Sequence, residues 1–248
     1  MPRKKNLKVE DVNEEIYEPI NFFTQPENID KLKVKFKPKT DKQKELIQKI
    51  YDKDIVIVNG SPGVGKTLTT LFSALDLLKN NKINQILITK SVQTLESESL
   101  GFLKGELSQK LEPVLFSFIH NFDKLIGKEN YNKLKNFNML KEFPLAYLRG
   151  TSWDNTIIIT DEVQNLSIEN VRTILTRIGY NSKIVLLGDS NQVDNRKLKQ
   201  NTLETLIKYF KPEESVGVVE FNDDEIVRNP IIKRVETIFK LIEGKTNI

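Results

Sequence analysis

Residues 60–67 read Gly60-Ser61-Pro62-Gly63-Val64-Gly65-Lys66-Thr67, two glycines flanking four residues and then a lysine and a threonine. Glycines let the backbone curl until its N–H groups point at one spot, and a helix that starts there adds the positive end of its dipole. The combination suits a chain of phosphates. Amides of Gly60, Ser61, Gly63, Val64, Gly65 and the first helical residues through Leu68 wrap the β-phosphate, with Pro62 lending shape but no donor. Lys66 bridges the β- and γ-phosphates, and the Thr67 hydroxyl holds Mg²⁺. Further along, Ile157-Ile158-Ile159-Thr160-Asp161-Glu162 is an apolar run that ends in two acids. Asp161 suits Mg²⁺, and Glu162, one residue beyond, is placed to activate a water, which favours hydrolysis over phosphate transfer. In Gly188-Asp189-Ser190-Asn191-Gln192-Val193-Asp194, Gln192 either senses the γ-phosphate or belongs to an ordinary polar turn. Gln43 carries a carboxamide that can pair with adenine and so favour ATP over GTP, although on its own a glutamine in a first helical turn is more often a surface residue.

These groups work only if secondary structure brings them together. Asp54 to Asn59 is a continuous apolar run, read as a fully buried strand entering the glycine loop, and Leu68 to Lys79 reads as the helix leaving it. Gln85 to Thr89, Thr156 to Thr160 and Lys183 to Leu187 repeat the buried-strand pattern, with a helix at Ile168 to Arg177. Strand and helix alternate, which predicts a mostly parallel sheet. A helix from Asp41 to about Tyr51 precedes the loop strand, and a strand at Val216 to Phe221 and a helix from about Asn229 close the chain. An insertion over about 91–142 shows helical patterns at Leu107 to Ile126 and Glu129 to Asn136, and Phe143 to Leu148 reads as a further strand. Residues 1–39 form an arm and a basic strand. In the latter, Lys31-Leu32-Lys33-Val34-Lys35-Phe36-Lys37 alternates strictly, so its lysines either bind phosphates or blunt a sheet edge. Residues 40–248 form the main domain.

The chain has 248 residues, with 38 basic and 34 acidic side chains and a net charge of +4, too little by itself to mark a nucleic-acid binder. Without cysteine and with His120 as its single histidine, it can form neither a disulfide nor a Cys/His zinc site, in keeping with a reducing cytoplasm. The basic start runs into acidic residues rather than an apolar stretch, so neither a secretory signal nor a membrane span is expected.

With these residues assembled, the chain resembles the PhoH-like ATPases, relatives of the superfamily 1 helicase core, from about Thr40 to Lys240. The likeness is carried by Leu100-Gly101-Phe102-Leu103-Lys104-Gly105-Glu106-Leu107, Lys110-Leu111-Glu112-Pro113, Tyr147-Leu148-Arg149-Gly150, Asp161-Glu162-Val163-Gln164-Asn165, Leu175-Thr176-Arg177-Ile178-Gly179 and Gly188-Asp189 followed by Gln192 and Asp194. The chain departs from the family pattern at Lys104, at Thr89-Lys90-Ser91-Val92 and at Val227-Arg228-Asn229-Pro230. The resemblance implies an α/β, three-layer RecA-like P-loop NTPase with a mostly parallel sheet and a helical insertion, using ATP and Mg²⁺. It also implies that Gln43 reads adenine and that Arg228 or Arg177 neutralises charge on the transferred phosphate. A single phosphate loop leaves no second lobe in this chain, so a ring oligomer, a hexamer by resemblance, is expected. RNA or single-stranded nucleic acid is the expected partner, with Lys90 to Gly105 near the strand and Phe102, Tyr147 and Trp153 available for stacking. An ATP-dependent switch that acts on protein partners is the competing reading. A nuclease is not expected, because the chain carries no separate acidic cluster for one.

Overall fold

The computed structural model describes residues 29–90, 107–143, 145–148, 150, 152–193 and 200–242. Among these residues six strands form one sheet: β1 (Ile55–Asn59), β2 (Gln85–Lys90), β3 (Leu140–Glu142), β4 (Thr156–Asp161), β5 (Lys183–Gly188) and β6 (Val216–Glu220), in the order β3-β2-β4-β5-β1-β6. Every pairing is parallel. The reason lies in composition, because β1, β4 and β5 are near-continuous runs of Ile, Val and Leu and both of their faces need cover. One face carries Val56, Val58, Ile86, Ile88, Ile157, Ile159, Val185 and Leu187, the other Ile57, Leu87, Ile158, Ile184 and Leu186. Each such side chain is worth roughly 1.5–3 kcal/mol when fully buried.

Helices close both faces. On the first lie α1 (Asp41–Asp52), α2 (Lys66–Lys79), α3 (Leu107–Ile126) and α4 (Lys128–Asn136), which bring Leu46, Leu71, Phe118 and Leu134 to the core. On the second, α5 (Ile168–Leu175) and α6 (Thr202–Phe210) contribute Val171, Ile174, Leu203 and Leu206. The result is a three-layer α/β, RecA-like P-loop fold. A final helix, α7 (Pro230–Ile242), follows β6, and Ile231, Val235, Ile238 and Ile242 along it are exposed. Since β5 lies between β1 and β4, the ends of the loop strand and the diacid strand stand two strand spacings apart, roughly 10 Å, room for a phosphate chain and a cation. Among the described residues no helix is long and apolar enough to cross a membrane.

Two expectations need correction, and one helix is not among those expected. The basic strand does not form: residues 32–39 run extended outside the sheet, whose edges are held by β3 and β6. Phe36 instead packs on Phe72 of α2, ring centroids 4.8 Å apart, and the Lys35 N–H donates to the Leu125 carbonyl, so the segment crosses the outer surface of the helices. Phe143 to Leu148 also forms no strand. Leu145–Leu148 is a short 3-10 turn, and β3, three residues earlier, pairs with β2 in its place; Pro144, without an N–H, suits no ladder. The helix α6 lies outside the elements expected from sequence, yet Asn201 caps it through a side chain that accepts from the Glu204 N–H, and Leu203, Leu206, Ile207 and Phe210 keep helical spacing. Of the insertion, α3, α4 and β3 are described, and residues 91–106 lie outside the described residues.

Candidate nucleotide site

The loop between β1 and α2 is shaped by glycines at specific points. Gly63 and Gly65 take φ of 93° and 89°, where a side chain is strained. At Gly60 a Cβ would stand 2.7 Å from the Phe221 Cβ, and at Gly65 it would stand 2.8 Å from Gln43 Nε2. The loop is braced from three sides. Gln43, buried, donates from Nε2 to the Val64 carbonyl (2.9 Å) and accepts the Lys39 N–H at Oε1 (2.7 Å). Ser61 Oγ donates to Asp223 Oδ1 (2.7 Å), and the Val227 N–H donates to the Gly63 carbonyl (3.1 Å). That last bond seats the segment after β6 on the loop and puts Arg228 beside it.

Lys66 folds back inside the loop, its ammonium donating to the Gly60 and Ser61 carbonyls. Burial pushes its pKa below the ordinary lysine value, against the pull of Asp189, Asp161 and Glu162, and the charge of Arg228 pushes the same way as burial. An ammonium held so is short of negative charge, which a triphosphate supplies. Across the loop Thr67 Oγ1 lies 3.5 Å from Asp161 Oδ2, at the end of β4. A hydroxyl beside a carboxylate fits Mg²⁺, which takes hard oxygen ligands and completes its shell with water and phosphate. A shared site of this kind needs few protein ligands, and among the described residues there is no group of three or more His, Cys, Asp or Glu that could hold a metal.

Glu162 has a left-handed backbone, φ 59° and ψ 38°, unusual for a residue with a side chain and a cost of about 1–3 kcal/mol. At this turn Glu162 lines the cleft it shares with Lys66 and Thr67, and its carboxylate has a fixed partner. Gln164, fully buried, holds it there: Nε2 donates to Glu162 Oε2 (2.7 Å) and to the Gln192 carbonyl (3.2 Å), while Oε1 accepts the Asp189 N–H (3.1 Å). A second clip comes from Asn59, which donates to Ser190 Oγ (3.1 Å) and accepts the Ser190 N–H (3.0 Å). The loop after β5 is thereby tied to β1 and to Glu162 at once. In the sequence Gln164 stands out only as part of the Asp161–Asn165 motif that carries the family resemblance, because its bond to Glu162 depends on buried partners that the sequence does not show. Gln164→Ala is expected to lower kcat by about 10- to 100-fold with little change in KM, since it frees the carboxylate without touching the phosphate loop. Steady-state ATPase kinetics check this.

One cleft of about 640 Å³ at the carboxyl edge of the sheet collects Gln43, Pro62, Gly63, Gly65, Lys66, Thr67 and Leu68 with Asp161, Glu162, Gln192 and Arg228. Gly60, Ser61 and Val64 complete the loop behind it. Arg177 is not brought there. It follows α5, where its carbonyl accepts the Trp153 N–H, before the start of β4 and so at the amino edge of the sheet. Trp153 shares that edge, packed edge-on against Phe143 with Lys141 over its ring, so its aromatic surface is used in the fold. Phe102 lies outside the described residues. Lys35, Lys37 and Lys39 line the same cleft, together with Ser117, Asn121 and Lys124 of α3.

A family model described as "PhoH-like protein" matches residues 35–240. The chain is 30% identical over 197 residues to the PhoH-like protein of Bacillus subtilis (strain 168), covering 79% of this chain and 61% of that one. It is 27% identical over 198 residues to Protein PhoH of Escherichia coli (strain K12), covering 79% and 56%. The chain thus spans about three fifths of the length of these curated relatives. Among solved structures it is similar to the UvsW helicase from bacteriophage T4, with TM-score 0.46, 14% identity, and coverage of 78% of this chain and 65% of that one. A likeness to the large terminase from a thermophilic bacteriophage has TM-score 0.45, 16% identity, and coverage of 82% and 50%.

Proposed function

Since the chain belongs to the PhoH-like protein family and has a P-loop ATPase fold, we propose that it binds and hydrolyses ATP and couples this to binding and remodelling of RNA or another single-stranded nucleic acid, as a ring oligomer. The observation that carries this reading is the convergence of Lys66, Thr67, Asp161, Glu162, Gln192 and Arg228 on one cleft. In it Lys66 exchanges its two carbonyl partners for the β- and γ-phosphates, and the loop amides take the rest of the phosphate charge. Mg²⁺, when bound at Thr67 and Asp161, would neutralise charge on the same phosphates. Glu162 takes the proton of the attacking water, oriented by Gln164, and Gln192 follows the γ-phosphate through the loop that Gln164 also holds. Arg228 supplies positive charge from within the chain. Arg177, at the opposite edge, would serve only across an interface in a ring, a hexamer by family resemblance.

A second reading has its own support. The exposed apolar residues Ile231, Val235, Ile238 and Ile242 start three residues after Arg228, so a protein docked on α7 would feel the state of the cleft. This favours an ATP-dependent switch that acts on protein partners. The two are separated by ATP turnover measured with and without single-stranded RNA, at rising salt. Turnover is expected to rise several-fold with RNA and to lose that rise as salt increases. Indifference to RNA and to single-stranded DNA at low salt would favour the switch.

A further inference from the structure

The alternating lysines of residues 31–39, of which Lys35, Lys37 and Lys39 line the cleft, have no task in hydrolysis. Lys31, Lys33, Lys35, Lys37 and Lys39 are all exposed, while Leu32 is buried and Val34 and Phe36 pack on the core. Alternate residues of an extended chain stand roughly 6.6 Å apart, so Lys33 to Lys39 spread four ammonium groups over about 20 Å. Several surface lysines elsewhere are paired, Lys42 and Lys49 with Glu45, Lys44 with Asp41, Lys133 with Glu129, Lys135 with Glu142 and Lys233 with Asp224, while others such as Lys79, Lys82 and Lys128 are scattered singly. Lys33, Lys35, Lys37 and Lys39 form no ion pair with any described residue. Guarding a sheet edge cannot explain them, because this segment is not in the sheet.

Helix α3, to which the segment is bonded through the Lys35 N–H and the Leu125 carbonyl, carries what a single strand needs besides a row of charge. Lys124, Asn121 and Ser117 of α3 face the same cleft. On the adjoining side of α3, Phe116 is 66% exposed and its ring lies parallel to that of His120, centroids 6.3 Å apart. A basic groove beside exposed aromatic faces is the pattern that binds single strands without sequence preference, phosphates on the cations and bases on the rings.

We infer that Lys33, Lys35, Lys37 and Lys39, with Lys124 and the Phe116–His120 stack, form a track for the phosphodiester backbone of a single-stranded nucleic acid that runs beside the bound nucleotide. This rests on the proposed nucleic-acid-coupled function and adds where the strand lies. The track is joined to the phosphate loop by one side chain: the Lys39 N–H is held by Gln43 Oε1, and Gln43 Nε2 holds the Val64 carbonyl. A shift of the loop on nucleotide exchange is therefore transmitted to the track.

The test measures binding of the full chain to a labelled oligouridylate across a salt series. Lys33, Lys35 and Lys37 are replaced together by Gln, and Lys44, Lys133 and Lys233, paired lysines elsewhere, are replaced together as a control of equal charge. Each phosphate that a single strand no longer pairs with a cation lowers the magnitude of the log–log salt slope by about 0.7, so the slope of the track variant is expected to fall by about 2 and that of the control hardly at all. Phe116→Ala should weaken binding about tenfold with the slope kept. Thermal melting of each variant checks that the fold is intact. If the natural chain binds the oligonucleotide and the track variant keeps its slope, the track is wrong while the coupled function stands. A track variant that keeps its slope but binds ADP less tightly would assign the lysines to the nucleotide's own phosphates and likewise overturn the track. A natural chain that binds no single strand, with ATP or without, overturns both.

Discussion

Lys66→Ala is expected to lower nucleotide affinity by about 10²- to 10³-fold, the effect of removing one partner from a buried charge-assisted contact. The variant should nevertheless fold at least as well as the natural chain without ligand. Burial holds the Lys66 pKa below 10.5 in the folded protein, so the fold prefers the neutral amine. Below the folded pKa both folded and unfolded chains carry the proton, and the fold bears the full penalty of a buried charge. Between the folded pKa and 10.5 the unfolded chain binds more protons, so stability rises with pH across that window. Above it the penalty is gone. Alanine removes this dependence, and the variant's melting temperature should rise less than that of the natural chain as pH climbs through the window. ADP titration by calorimetry, with melting curves at neutral and alkaline pH, reads both effects. A variant that binds ADP normally would show that the cleft is not a phosphate site, and one that unfolds would show that Lys66 is structural.

The tension at Lys66 is legible in part from the sequence. A lysine stands there behind a glycine loop, between an apolar strand and a helix, and the parallel sheet follows from the uninterrupted apolar runs of β1, β4 and β5. These signals survive because each depends on neighbours within a few residues. What stays hidden depends on pairings between distant parts of the chain. Gln43 pairs with Val64, and Gln164 with Asp189 and Gln192, and neither is visible beforehand because an amide's role is set by whichever polar atoms the fold brings to it. The left-handed backbone of Glu162 is equally silent, since nothing in its residue type asks for it. The lysine segment misleads for a related reason. Its alternation is real and its lysines do face outward, but period two says that a chain is extended, not that a second strand lies beside it. Phe36 finds Phe72 on a helix rather than a sheet edge.

The geometry around Glu162 leads to the sharpest separation of binding from chemistry. Glu162→Gln keeps side-chain length and an oxygen able to accept from Gln164 Nε2, which now bonds to Glu162 at 2.7 Å. It touches neither the loop glycines nor Lys66, and Thr67 and Asp161 keep their oxygens. What disappears is the ability to take a proton from water, because an amide is not a base at neutral pH. ATP affinity is therefore expected to stay within about threefold while kcat falls by about 10²- to 10⁴-fold. Equilibrium binding of ATP and single-turnover hydrolysis measure the two separately. Equal losses in both would make Glu162 a structural acid and leave the reacting water without a base in this cleft. The expected outcome instead gives a chain arrested with ATP bound, and that state ties the chemistry to the proposed coupling. If nucleotide reaches the lysine segment through Val64, Gln43 and Lys39, the arrested variant with ATP should grip or release a single strand differently from the same variant with ADP. In Lys66→Ala, at nucleotide concentrations too low to fill its weakened site, that difference should vanish, because Gln43 is left with a loop that has nothing to report.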